Sequence, residues 1–280
     1  MKSVFLSRFF ILLPWILIVI IMIDIDSKRA VRSPAAGRHS RAPQAVRAGA
    51  SAPGSHNHSA LPIIYAITPT YTRPVQKAEL TRLAHAFRQV PRFHWIVVED
   101  STVRTELVAR FLAGCRVPFT HLHVFTHRRF KRAGMPRATE QRNTALAWLR
   151  HHRSRRDSGV VFFADDDNTY SLELFEEMRS TQGVSVWPVG FVAASSLSFS
   201  SPGFAVNLQV ILANPRAQFK RGGSQPGMQE SDFLKQITKV SELEPKANNC
   251  TRVLVWHTRT EKPHLANEPK HRKDSVVIEV

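Results

Sequence analysis

The apolar run Val160 to Ala164 leads straight into three aspartates, Asp165, Asp166 and Asp167. A run that short, rich in Val and Phe, reads as a buried strand. The acids therefore stand at its carboxyl end, which is where ligands bind in open α/β sheets. Adjacent carboxylates repel one another unless a hard cation or a donor-rich ligand neutralises them. A divalent metal bridging to a diphosphate meets that demand, as in metal-dependent nucleotide-sugar transferases. The same acids also suit a turn or the cap of a helix starting near Ser171. Neighbouring side chains point in different directions. One or two would contact a metal and another would contact sugar hydroxyls.

The surrounding pattern supports an α/β sheet. Ile63 to Thr68 is a strand candidate that ends at Pro69, and Pro74 opens a helix. In that helix Leu80, Leu83, Ala84 and Phe87 share one face. His94 to Val98 is the next strand and ends in Glu99-Asp100. Ala138 to Leu149 reads as a helix ahead of the strand Gly159 to Ala164. Val184 to Val186 and Val253 to Trp256 are two further strands, and Phe233 to Ile237 a further helix. Strands alternating with helices imply parallel pairing. Polar residues cluster at the strand ends: Thr70-Tyr71, Glu99-Asp100, the three aspartates and His257-Thr258-Arg259. They fall where one crevice should form.

The 280 residues suffice for one main domain plus extras. A formal net charge of +17 suits anionic partners such as phosphates, nucleotides, acidic polysaccharides or membranes. Nothing else in the chain favours nucleic acid, and none is expected as a partner. Cys115 and Cys250 define neither a disulfide framework nor a metal site. Residues 9–23 are unbroken apolar, after Lys2 and Arg8. A cleaved signal peptide is the rival reading, but no small-x-small cleavage site follows, so they read as an uncleaved transmembrane signal anchor behind a cytoplasmic tail, residues 1–8. Residues 24–60, rich in Arg, Ala, Pro, Ser and Gly, read as a disordered stem. Residues 61–280 then form the lumenal domain. Asn57 and Asn249 begin glycosylation sequons.

Several side chains suit a nucleotide-sugar cleft, each with an ordinary structural alternative. Tyr71 is placed to stack on a base, or is a rim aromatic. Asp100 suits a hydrogen bond from a base N–H. Arg137 and Arg142 open a helix, where positive charge is disfavoured unless an anion binds. His257 and Arg259 share one side of a continuing strand and suit a diphosphate, although a structural histidine is the simpler alternative. Glu230 is either a helix-start acid or a general base.

Taken together, these segments resemble the β-1,3-glucuronyltransferases. The resemblance rests on Ile67 to Tyr71, Arg73 to Leu80, His94 to Asp100, Glu140 to Asn143, the three aspartates, Val184 to Val189 and Val255 to Pro263. Arg8 to Ile21 and Gly223 to Gln236 look most like the brain-type branch associated with the HNK-1 epitope. The resemblance implies a GT-A-like fold, a Rossmann-like mixed sheet flanked by helices, in a Golgi type II membrane protein that is a homodimer. It implies inverting, Mn²⁺-dependent transfer of glucuronate from UDP-glucuronate to the 3-hydroxyl of a terminal galactose. Pro69 and Tyr71 would hold uracil with Asp100. Arg137, Arg142, Asp165 and Asp166 would hold the sugar and ribose, and His257 and Arg259 the diphosphate. Asp167 would ligate the metal, and Glu230 would be the general base. One departure stands out. Phe191 runs through Val192 to Pro202 straight to Gly203-Phe204-Ala205-Val206, where family members carry a longer stretch that supplies acceptor contacts. The donor half looks intact and the acceptor half shortened. That raises the alternative of a protein that binds the donor, or a sibling enzyme, and transfers weakly.

Overall fold

The computed structural model describes residues 61–132, 135–193, 196–199, 203–222 and 228–258. Residues 9–23 and 24–60, expected from the sequence to be an anchor and a stem that includes Asn57, lie outside them, as does Arg259. In chain order the elements begin with β1 (Ile63–Thr70), α1 (Gln76–Phe87), β2 (Phe93–Glu99), α2 (Glu106–Gly114), β3 (Phe119–His123) and α3 (Thr139–His152). After them come β4 (Gly159–Phe163), β5 (Asn168–Tyr170), α4 (Leu172–Met178), β6 (Val184–Trp187), β7 (Val189–Ala193) and β8 (Ser196–Phe199). The last are β9 (Gly203–Asn207), α5 (Leu208–Ala213), α6 (Gln229–Leu234), β10 (Leu243–Pro245) and β11 (Val255–His257).

Seven strands form one sheet in the order β10-β6-β9-β4-β1-β2-β3. β4, β1, β2 and β3 are parallel, as strand–helix alternation predicts. β9 runs antiparallel to both β4 and β6, so the sheet is mixed. Successive residues of β1 face opposite sides. Ile64 and Ala66 pack with Trp95, Phe162 and the helices α1 and α4. Tyr65 and Ile67 pack with Ile96, Val161, α3 and the pair Phe219–Phe233. Both faces are thus covered, which is why the central strands are continuously apolar. Phe87 meets Trp95 and Phe175 edge-on at centroid distances of 5.1 and 5.8 Å. Burying each such ring contributes about 1.5–3 kcal/mol.

Two of the boundaries that differ from the sequence expectation bear on the site. β1 continues through Pro69 to Thr70, although the residues suggested a stop at Pro69. Its pairing with β4 ends at Ile67, so Pro69 occupies an edge position where proline is tolerated. The helix expected at Phe233 to Ile237 is α6, and it begins at Gln229. Its buried residues are Gln229 and Phe233, four apart, and Phe233 stacks on Phe219 at 4.5 Å. That shift puts Glu230 in the first turn.

A second sheet, β5-β11-β7-β8, carries the residues after the aspartates. The antiparallel register of β5 and β11 sets His257 opposite Asn168. This pairing brings the distant segment ending in Thr258 beside Asp167.

Gly159 opens β4 where a Cβ would sit 2.7 Å from the Tyr65 ring and 2.8 Å from the Ile63 carbonyl oxygen. The backbone oxygen cannot yield as a flexible side chain can. Gly159→Ala is expected to cost about 1–3 kcal/mol through overpacking and to lower the melting temperature by several degrees; an unchanged melting curve would contradict the packing.

His94 is held neutral. Burial, aided by the Arg153 cation, pushes its pKa down to about 4, while Nε2 meets Thr120 Oγ1 at 2.8 Å. The unfolded chain therefore binds the His94 proton first as pH falls. This residue's contribution is complete above the ordinary histidine pKa of about 6.5 and is lost on acidification toward about 4. His94→Gln is expected to flatten the stability-against-pH curve across that window, as measured by denaturant unfolding. Equal slopes for variant and parent would show that His94 titrates normally.

Candidate active site

The carboxyl ends of β1, β2 and β4 surround a cleft of about 470 Å³. Pro69, Tyr71, Asp100, Arg137, Arg142 and all three aspartates line it, together with Thr70, Lys131, Ala138 and Gln141. The sequence thus placed eight of its candidates at one crevice.

Each aspartate has a different partner, because consecutive side chains leave the backbone in different directions. Asp165 is half exposed and meets Arg142 Nη2 at 3.0 Å. Asp166 turns inward to Arg73 Nη2 at 2.6 Å, and its backbone oxygen accepts from Arg82 Nη2 at 2.8 Å. Burial raises the Asp166 carboxyl to about 6, although the Arg73 cation opposes this. Asp167 is half exposed. Burial and the Asp165 charge raise its pKa, against the pull of His257, whose Nδ1 is 3.7 Å from its carboxylate. Thr258 holds the Asp167 carbonyl through its N–H at 2.9 Å and its hydroxyl at 2.8 Å. The Tyr170 hydroxyl donates to the Asp165 carbonyl at 3.1 Å.

Tyr71 is 53% exposed at the rim, with the Arg73 guanidinium 4.4 Å from its ring centroid. Arg73 also pairs with Glu79 and so ties the aromatic rim to Asp166. Asp100 accepts from the Thr126 N–H at 2.7 Å and pairs with Lys131 at 3.0 Å. Arg137 is exposed, and among the described residues no carboxylate pairs with it. Arg142 lies inside α3, buried. Burial opposes its charge, but Asp165 and Glu230 outweigh burial and raise its pKa. Glu230 meets Arg142 Nη1 at 2.9 Å, so the candidate base reaches the cleft through a guanidinium shared with Asp165.

Arg73, Arg82, Lys131 and Tyr170 were not singled out from sequence as site residues. Their partners lie far along the chain or across a turn, and only the fold pairs them. Asn249 is exposed and holds a left-handed backbone at φ 56°. Cys115 is buried, Cys250 is exposed, and neither forms a disulfide.

The donor set suits a hard divalent cation. The Asp165 charge raises the cost of ionising Asp167, which a cation would relieve. No group of three or more His, Cys, Asp or Glu side chains converges among the described residues. Such a cation would take one or two carboxylates here and complete its shell with phosphate oxygens and water.

A protein-family model, glycosyltransferase family 43, matches residues 83–202 and 196–261. The chain belongs to glycosyltransferase family 43. Galactosylgalactosylxylosylprotein 3-beta-glucuronosyltransferase 2 of Homo sapiens is 58% identical over 323 residues, covering all of both chains. Galactosylgalactosylxylosylprotein 3-beta-glucuronosyltransferase 1 of Homo sapiens is 51% identical over 244 residues, which is 75% of this chain and 72% of that one. The identity is higher to the first of these than to the second. Among solved structures, S. aureus TarS 1–349 in complex with UDP-GlcNAc superposes with a TM-score of 0.50 at 16% identity, over 73% of this chain and 61% of that one. That likeness concerns the fold alone, a GT-A-like arrangement. The alignment to the 58%-identical relative spans 323 positions against 280 residues here, so at least 43 positions lack a counterpart. The two matched pieces of the family model overlap at residues 196–202, between β7 and β9, which is where the sequence departs from the family pattern.

Proposed function

We propose that this enzyme transfers glucuronate from UDP-glucuronate, with inversion, to the 3-hydroxyl of a terminal galactose on a glycoprotein or proteoglycan-linker glycan. The observation that carries the reading is the division of labour among the three aspartates at the mouth of a cation-lined cleft. Tyr71 offers a ring to the base, and Asp100 fixes its edge. Arg137 is poised for a phosphate or the uronate, and Arg142 and Asp165 for the sugar. His257 stands beside Asp167, where it would hold the diphosphate, and Arg259 follows it in sequence. Asp167 would hold Mn²⁺, which would neutralise charge on the departing diphosphate. Glu230 takes the proton of the acceptor hydroxyl as that oxygen attacks the anomeric carbon and the bond to UDP breaks. In-line attack with a base and no covalent intermediate inverts the centre. We place the protein in the Golgi membrane as a single-pass type II homodimer with its catalytic part lumenal. The apolar run of residues 9–23 and the sequons at Asn57 and Asn249 support this placement.

The departure from the family pattern between β7 and β9 favours a second reading, in which the donor site survives and transfer is weak. One experiment separates them. The full-length chain is incubated with UDP-glucuronate, Mn²⁺ and either N-acetyllactosamine or a galactosyl-galactosyl-xyloside, with UDP affinity measured in parallel. Transfer to either acceptor supports the first reading. UDP binding without product supports the second. Absence of Mn²⁺-dependent UDP binding overturns both.

A further inference from the structure

A second cavity, of about 330 Å³, lies at the amino ends of β1 and β2, the end of the sheet away from the aspartates. Four arginines border it: Arg88, Arg92, Arg116 and Arg153. No carboxylate of the described residues lines it. Its floor is aromatic, made by Tyr65, Phe87, Phe93 and His94. We propose that this cavity is a second ligand site, which binds one acidic sugar residue through its sulfate or carboxylate group. The choice of a saccharide rests on the glucuronyl-transfer reading; the preference for an anion does not.

Four guanidiniums around so small a space repel one another unless an anion or the solvent screens them. Part of that charge has an ordinary explanation. Arg88 and Arg153 are the C-caps of α1 and α3, and Arg116 closely follows α2. A helix end carries only about half a negative charge, so three ends leave the four cations in excess. Asp157, whose charge acts on Tyr65, is turned to the Ser154 N–H and hydroxyl at 2.6 and 3.0 Å.

Two polar atoms at the cavity wall, in Tyr65 and Arg153, have at most each other for a partner. Tyr65 is 1% exposed, and its hydroxyl makes no hydrogen bond of normal geometry. The same holds for Nε of Arg153, whose guanidinium lies 5.2 Å from the Tyr65 ring centroid. Buried polar groups are rarely left so weakly bonded. Arg92 and Arg116 also hold left-handed backbones, with φ 52° and 57°. Arginine gains nothing there that glycine would not supply at lower cost. The aromatic floor gives a sugar ring an apolar face to cover. The volume is at the small end for small-molecule sites, roughly 300–1,000 Å³, which suits one sugar residue rather than a chain.

The test uses the full-length protein and isothermal titration with glucosamine 6-sulfate, glucuronic acid and inorganic sulfate, each with the donor cleft filled by UDP and Mn²⁺ and again without them. The variant is Arg92→Gly with Arg116→Gly. Glycine accepts both left-handed positions, so loss of binding does not report misfolding, and unchanged UDP binding confirms that the fold persists. Expected are saturable binding of the acidic sugars, insensitive to UDP, and a loss of about tenfold in affinity per arginine removed. Three results would overturn the proposal: no binding of either sugar, equal binding in parent and variant, or inorganic sulfate binding as tightly as the sugar sulfate. Because UDP binding is read separately, failure here leaves the donor-site reading standing.

Discussion

Glu230→Gln is expected to lower glucuronyl transfer by about 10²–10⁴-fold, the usual contribution of a positioned general base. UDP affinity should stay within about threefold of the parent. The structure makes this separation clean. Glu230 sits in the first turn of α6 and pairs with Arg142 Nη1 at 2.9 Å. Glutamine keeps an oxygen that accepts from Arg142, so the guanidinium remains in place beside Asp165, and only the ability to take a proton disappears. A base tied to a guanidinium must be released to act. An incoming uronate would compete for Arg142, so donor binding and release of the base would be linked. Initial rates at saturating donor and a parallel UDP titration check this. Transfer retained within tenfold would remove Glu230 from the role. Loss of UDP binding together with transfer would mean that the Arg142 network had collapsed instead.

Asp167→Asn should have the next largest effect. The change keeps size and hydrogen-bonding capacity but removes the charge that a hard cation needs. We expect Mn²⁺-dependent UDP affinity to fall by at least about 10-fold, with transfer falling further because the leaving diphosphate loses its neutralising charge. UDP affinity without metal should change little. The effect differs from that of changing Asp166, which is buried against Arg73 and whose carboxyl is raised to about 6. Asp167 instead faces His257, with Asp165 raising its cost of ionisation. Calorimetric titration of UDP with and without Mn²⁺ measures both quantities. Equal metal dependence in parent and variant would assign the cation elsewhere.

Much of the site was legible because strand ends are legible. Ile63 to Ile67, His94 to Val98 and Val160 to Phe163 are apolar on both faces, which marks central parallel strands covered by helices. Residues at the carboxyl ends of such strands must lie along one edge of the sheet. That reasoning alone gathered Tyr71, Asp100 and Asp165 to Asp167. Less legible were the short strands β5, β7 and β9, which have too few residues to show a period. The start of α6 was misplaced because its buried face, Gln229 and Phe233, includes a polar residue. Arg73 looked like a charge beside a turn, yet it joins Tyr71, Glu79 and Asp166.

The amino-acid sequence by itself determined the central strands, the crevice at their carboxyl ends, the charge of its lining and, through motif resemblance, the family. These are local or periodic properties, carried by a few adjacent residues. Only the tertiary structure decided which aspartate is buried, which faces His257 and which shares Arg142 with Glu230. Each such pairing joins residues 20 or more positions apart. It depends on strand register and helix placement, which set side-chain distances to within an ångström and leave no mark on the residues nearby.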